Sequence, residues 1–144
     1  MSANITLKDI IERRLAYAKE ERDNAEPIDF SVTDPYDITY DEFTAIQNGE
    51  IRAFEEMLGD IDDMSEDEFT GKYKAIAKTL GKKFDEELDE KYNRIAEAKK
   101  NGTDVYKVFE EFPPKTEEVG YNNAIVEILI LFNKKNEFAS ELCK

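Results

Sequence analysis

Residues 66–100 read EDEFTGKYKAIAKTLGKKFDEELDEKYNRIAEAKK, and this stretch decides the fold. Its apolar residues recur every three or four positions, the spacing of one face of an α-helix; they are Phe69, Tyr73, Ile76, Leu80, Phe84, Leu88, Tyr92 and Ile95. Ser65 and Glu68 have the spacing of a capping box at the start, and Lys99-Lys100-Asn101-Gly102 supplies cations and then a glycine at the end. The stretch therefore predicts one long helix, weakened by Gly71 and Gly81.

Two further helices are predicted before it. Residues 5–24 carry an apolar face, Leu7, Ile10, Ile11, Leu15 and Ala18, with Thr6 or Asn4 as the cap and Pro27 as the stop. Thr39 and Glu42 form another capping box, and the helix that follows buries Phe43, Ile46, Phe54, Met57 and Leu58. Asn48-Gly49 is a point where this helix could divide in two, because glycine costs about 1 kcal/mol inside a helix. Gly59 closes it.

The segment between these two helices contains Pro27 and Pro35. Apolar and polar residues alternate over 28–32, which is compatible with a short strand. An extended loop that packs Phe30 onto the helices is the preferred interpretation.

The C-terminal third predicts a short helix and a central one. Thr103 is positioned to cap a helix bearing Val105, Tyr106, Phe109 and Phe112, and Pro113-Pro114 ends it. Residues 122–142 are dense in apolar side chains, as in a buried helix, although a buried strand at 124–132 is the competing interpretation. The sequence therefore predicts an all-α, mainly helical bundle of about five helices in a single domain over residues 1–144.

Charge is distributed very unevenly along the chain. The net charge is −14, from 34 acidic and 20 basic residues. Residues 26–71 contain 15 acids and a single base, Arg52, whereas acids and bases are equal in number over 1–25 and over 72–144. Like charge gathered in one segment costs stability by self-repulsion, so a basic partner is one reason to keep it, and a solvated face is the other.

Cysteine use and hydropathy place the chain in the cytoplasm. Cys143 is the only cysteine, so no internal disulfide can form. The first residues lack the basic and apolar regions of a signal peptide. The longest apolar stretch, 124–132, is interrupted by Glu127 and is far shorter than the roughly 20 residues of a membrane span.

Few enzyme classes are compatible with this composition. The chain contains no histidine, which excludes histidine-based triads, proton shuttles and metal sites. One cysteine without histidine cannot form a structural zinc site, and no glycine-rich phosphate loop is present. Residues 60–71 fail the calcium-loop spacing, because Ser65 occupies the glycine position and Gly71 the position of the bidentate glutamate. The sequence predicts no enzyme, no cofactor and no metal. Direct nucleic-acid binding is disfavoured because the chain is strongly acidic and most of its basic residues are interleaved with acids.

The leading hypothesis is an acidic inhibitor that binds a basic protein, such as a nuclease, in place of its nucleic acid. Carboxylates one helical turn apart, as in Asp37/Asp41, Glu56/Asp60, Asp62/Glu66 and Asp63/Asp67, would form a line of negative charge wherever the chain is helical. In size and charge the chain resembles phage-encoded nucleic-acid mimics, including some anti-CRISPR and anti-restriction proteins, and nuclease immunity proteins. The predicted partner-binding residues are Asp34, Tyr36, Asp37, Asp41, Glu42, Glu55, Glu56, Asp60, Asp62, Asp63, Glu66 and Asp67.

The second hypothesis is a helical assembly or adaptor protein without catalytic activity. The long helix over 66–100 would serve such a role, and a homo-oligomer would fit it. An exposed apolar stripe and a mass that depends on concentration would distinguish this class from the inhibitor.

Overall fold

The structure is a computed structural model that describes residues 6–27, 39–111 and 116–142. These residues form five α-helices and no strand: α1 (Leu7–Asn24), α2 (Tyr40–Ile61), α3 (Glu66–Lys100), α4 (Val105–Glu111) and α5 (Glu117–Leu142). The all-α bundle with one long helix is thus confirmed. The extended segment predicted at 28–32 lies outside the described residues.

The caps that the sequence predicts set the starts of three helices. Thr6 and Asp9 form a capping box at α1, and Thr39 and Glu42 form one at α2. At α3 the Ser65 hydroxyl accepts a hydrogen bond from the Glu68 N–H at 3.2 Å. These side chains satisfy backbone donors that have no partner inside the helix.

Two helix starts differ from the prediction. The cap of α4 is Asp104, not Thr103, because its Oδ1 accepts the Tyr106 N–H at 3.0 Å. Helix α5 begins at Glu117, five residues before the predicted 122, and continues as a helix through 124–132, so the buried strand is wrong there. Local apolar density does not distinguish a buried helix from a buried strand. The structure shows a helix here, packed against α2.

The main core lies where α2 and α5 meet, with α1 and α3 packed beside them. Helix α1 runs antiparallel to α2, since Lys8 pairs with Asp62 and Arg22 with Asn48 at the opposite end. Helix α3 runs antiparallel to α5, since Phe69 contacts the Phe132 ring and Lys83 pairs with Glu118. The largest fully buried side chains of this core are Tyr73, Phe54, Phe69, Ile11, Met57, Ile125 and Ile128.

Two glycines allow the backbones of α2 and α5 to touch. A Cβ atom on Gly49 would lie 1.9 Å from the Glu117 carbonyl oxygen, and one on Gly120 would lie 1.8 Å from the Ile46 carbonyl oxygen. Only glycine fits such an approach. The predicted break of α2 at Asn48-Gly49 is therefore wrong: α2 is continuous, and its glycine serves packing between helices.

The second half of α3 extends beyond the main core and packs against α4. Ile95 and Ala98 of α3 form a small separate cluster with Val108 of α4. Leu88 and Tyr92, between the two clusters, are 46% and 61% exposed. Helix α3 thus joins two cores of unequal size. Within the described ranges, no helix is long and apolar enough to cross a bilayer.

Candidate acidic interface

The predicted interface acids between Asp60 and Asp67 lie at the corner between α2 and α3. Asp62 caps the C-terminus of α2, residues 63–65 form the turn, and Glu66 and Asp67 occupy the first turn of α3. The turn is tight, because the N–H groups of Asp63 and Met64 both donate to the Asp60 carbonyl oxygen, at 3.1 and 3.0 Å. The positive end of the α3 dipole stabilises the first-turn carboxylates.

This turn changes the predicted arrangement of charge. The pairs Asp62/Glu66 and Asp63/Asp67 span a chain reversal, so they do not lie one helical turn apart on a single helix. Of the predicted pairs, Glu56/Asp60 lies within one helix. The expected line of charge is therefore replaced by a compact group of carboxylates at the corner, which comprises Asp62, Asp63, Glu66 and Asp67.

Two other predicted interface residues, Asp60 and Glu55, have cationic partners on neighbouring helices. Lys72 Nζ lies 2.6 Å from Asp60 Oδ2, and the Tyr73 hydroxyl donates to the same oxygen at 2.5 Å. The Lys72 ammonium and the Tyr73 hydroxyl together lower the pKa of Asp60 below its ordinary value. Glu55 lies 3.5 Å from Lys19 of α1. Asp60 thus joins α2 to α3 and contributes to the fold.

The corner carboxylates are open to solvent. Asp63, Glu66 and Asp67 are exposed, and none of their carboxylates has an ion pair or a hydrogen bond with any residue in the described part of the chain. Asp62 pairs with Lys8 at 2.7 Å, yet its side chain remains 62% exposed. An exposed pair of this kind contributes little stability, so a partner could replace Lys8 at small cost.

The remaining predicted residues do not join the corner. Asp41 and Glu42 lie in the first turn of α2, about 30 Å from its other end at 1.5 Å per residue. The Glu42 carboxylate accepts the Thr39 N–H as part of the capping box. Asp34, Tyr36 and Asp37 lie outside the described residues. The structure therefore separates the predicted site into an open corner and a distant helix start.

A cleft between α2, α3 and α5 contains one predicted residue, Glu56, together with residues that the sequence did not indicate. Its volume is about 460 Å³. The Tyr121 hydroxyl donates to Glu56 Oε2, and the Arg52 guanidinium carbon lies 4.5 Å from the centre of the Tyr121 ring. The lining residues are Arg52, Glu56, Ile76, Thr79, Leu80, Glu118 and Tyr121. Glu118 belongs to a charge-balanced part of the chain, so the count of charges gave no reason to select it.

A partly buried carboxylate, Glu50, lies in the electrostatic field of an ion pair between α1 and α5. Arg14 Nη2 donates to Glu127 Oε2 at 3.1 Å; Nε lies 2.8 Å from Oε1 but is not aligned for a hydrogen bond. Burial raises the pKa of Glu50 above its ordinary value, Arg14 opposes this rise and Glu127 adds to it. Ionised Glu50 therefore destabilises the fold, since removal from water disfavours the charged form.

We expect Glu50→Gln to raise the melting temperature at neutral pH. Because the folded-state pKa is raised, protonation of Glu50 favours folding below the ordinary value of 4.5, and that gain is lost as pH rises through the folded-state pKa. The advantage of the variant should therefore shrink as the pH is lowered toward 4.5. Thermal melts from pH 4 to 8 measure it, with the exposed Glu86→Gln as control. A variant less stable than the parent at pH 7 would contradict the assignment.

Within the described residues, no group of three or more acidic or cysteine side chains is arranged to hold a metal ion. The chain matches no known family model, and comparisons with curated proteins and with solved structures find no significant similarity. The chemistry of the corner and of the cleft is therefore the basis for a functional proposal.

Proposed function

We propose that this protein is an acidic, non-catalytic inhibitor that binds a basic, nucleic-acid-handling protein in the cytoplasm through the corner between α2 and α3. One observation supports the proposal. Asp63, Glu66 and Asp67 are exposed and unpaired among the described residues, with the weakly held Asp62 beside them. Four carboxylates within six residues present a local charge density that a cleft lined with lysine and arginine would recognise.

Electrostatics explains how such a corner would compete with a nucleic acid. A duplex presents about one phosphate charge per 1.7 Å of its axis, and its binding depends strongly on salt. A group of carboxylates on a rigid helix corner offers similar charge without a flexible backbone to be ordered. Complementary charge also speeds the encounter between partners. The capping bonds of Ser65 and the turn bonds to Asp60 fix the corner before a partner arrives.

The test compares two variants with the same change of net charge. One neutralises the corner: Asp62→Asn, Asp63→Asn, Glu66→Gln and Asp67→Asn. The other neutralises four exposed acids on the second half of α3: Asp85→Asn, Glu86→Gln, Asp89→Asn and Glu90→Gln. Asp60 is left intact because it holds Lys72 and Tyr73. Both variants should remain folded by circular dichroism, since exposed charges contribute little to stability.

In a pull-down from host lysate, the parent and the α3 variant should retain a basic nucleic-acid-binding protein at low salt, and the corner variant should lose it. Washing at high salt should release the partner from the parent, because salt screens exposed charges. Equal loss from both variants would show that only total charge matters. Equal retention by both would remove the corner from the interface.

A second candidate function is a helical assembly or adaptor role, and one observation favours it. Leu88 and Tyr92 lie four residues apart on α3, on neighbouring positions of one helical face, and both are exposed. Tyr106 of α4 is also exposed, at 62%. Sedimentation of the parent over a range of concentrations distinguishes this function: a rising mass, abolished by Leu88→Glu, would favour assembly.

A further inference from the structure

We propose that the cleft between α2, α3 and α5 holds one cationic side chain, an arginine or a lysine, of the protein that the acidic corner binds. This inference rests on the proposed function, because it identifies the chemistry of the same partner. The cleft and the corner are linked by α2, on which Glu56 faces the cleft one helical turn before Asp60. A partner surface that covers the corner and continues along α2 past Asp60 would extend over the cleft.

Within the part of the chain that the structure describes, the charges around the cleft leave one carboxylate without an ion pair. Arg52 lies 3.7 Å from Glu117, and Lys83 lies 2.6 Å from Glu118, so these four charges compensate each other. Among the described residues, Glu56 accepts a hydrogen bond from a neutral hydroxyl, that of Tyr121, and forms no ion pair. Burial and the hydrogen bond to Glu56 raise the pKa of Tyr121 to about 12, so that hydroxyl stays protonated near neutral pH. The cleft therefore carries one net negative charge, on Glu56.

The rest of the lining suits the stem of a long cationic side chain. Ile76, Leu80 and the Tyr121 ring provide apolar surface, and lysine and arginine bury their methylene stems on such surface while the charged end reaches a polar group. A carboxylate accepts several hydrogen bonds, so Glu56 can receive a cation while it keeps the bond from Tyr121. The volume of about 460 Å³ is within the range of small-ligand sites.

The experiment titrates the whole protein with Nα-acetyl-arginine methylamide and follows the methyl resonances of Ile76 and Leu80 by NMR. The citrulline analogue is the matched neutral probe, since it has nearly the same shape without the charge. The arginine probe should shift these methyl groups saturably, with a dissociation constant on the order of 1 mM. The citrulline probe should shift them much less. Glu56→Gln should weaken the arginine probe by about tenfold or more, because a charge-assisted contact is lost.

Two variants, Glu56→Gln and Glu66→Gln, separate this inference from the proposed function. Glu56→Gln keeps an acceptor for the Tyr121 hydroxyl, so the variant should fold normally. Glu66→Gln removes one charge from the corner and should leave the titration unchanged. Methyl groups that do not move, equal shifts with both probes, or an unchanged Glu56→Gln titration would each overturn the cleft assignment. None of these outcomes alters the capture result for the corner variant, and a corner that captures nothing leaves the titration standing.

Discussion

Gly49→Ala should lower the free energy of unfolding by about 3 kcal/mol or more, with a fall in melting temperature of roughly 10 °C. The new methyl carbon would meet the Glu117 carbonyl oxygen at 1.9 Å. A backbone atom inside a helix cannot rotate away as a flexible side chain can. Relief therefore requires α5 to move away from α2, which opens the largest interface in the bundle.

Gly120→Ala should have a similar effect, because its methyl carbon would meet the Ile46 carbonyl oxygen at 1.8 Å. The double variant should lose less stability than the sum of the two single variants, since one separation of the helices relieves both contacts. Urea unfolding followed by circular dichroism measures the three values.

Gly71→Ala is the matched control for these variants. Gly71 is in the interior of α3, and a Cβ atom there would meet nothing within 4 Å. Alanine should stabilise this position by about 0.5–1 kcal/mol, because it loses less backbone entropy on folding. If Gly49→Ala instead raised the stability or left it unchanged, the close crossing of α2 and α5 would be wrong.

After the two glycine variants, Tyr73→Phe is expected to have the largest effect, a loss of about 2 kcal/mol in the free energy of unfolding, as for a hydrogen bond to a charged group. Tyr73 is fully buried, and its hydroxyl donates to Asp60 at 2.5 Å. Phenylalanine keeps the packing against the Phe69 ring, whose centre lies 4.8 Å away. The loss of stability therefore measures the hydrogen bond of the hydroxyl, because the retained ring leaves no cavity. Thermal melts of parent and variant measure it.

The effect of Tyr73→Phe should depend on pH in a defined direction. The pKa of Asp60 is lowered in the folded state, so its stabilisation is present above the ordinary value of 3.8 and is lost as pH falls through the folded-state pKa. The difference in the free energy of unfolding between parent and variant should therefore become smaller at acidic pH. The pKa of Tyr73 is raised, by burial first and by Asp60 second, so the parent should also lose stability above pH 10.

Tyr92→Phe is the control for this prediction, because Tyr92 is 61% exposed. It should change stability by less than about 0.5 kcal/mol. A double-mutant cycle of Tyr73→Phe with Asp60→Asn isolates the interaction of the two side chains. Full additivity would mean that they are not coupled.

Helix periodicity and caps were enough to predict the fold class and α3. The apolar spacing from Phe69 to Ile95 and the Ser65 cap follow from local geometry, which a single sequence contains. Gly49 was misread because its role depends on Ile46, Glu117 and Gly120, and the contact with α5 is not a local property. The low helix propensity of glycine indicated a break in α2. The structure instead has a close crossing of α2 and α5 at this position.

The acidic segment was recognised from the sequence, but the state of each carboxylate was not. Asp62 pairs with Lys8, 54 residues away, and Glu56 binds Tyr121, 65 residues away. The packing of the helices determines which residues pair. A count of charges along the sequence therefore cannot distinguish paired acids from exposed, unpaired ones. The effect of the turn at 63–65 on the spacing of Asp63 and Asp67 appears only when the chain direction is known.

Helix α3 links two units that should differ in cooperative stability. The main core buries side chains from four helices, whereas the cluster around Ile95, Ala98 and Val108 draws on two. Small units of this kind open locally at a lower free energy than the whole protein. Asp67 and Ile95 are 28 residues apart on α3, or about 42 Å. Fraying of the α3–α4 end would therefore leave unchanged the geometry of the acidic corner that the partner binds, since the weaker unit and the charged surface occupy opposite ends of one helix.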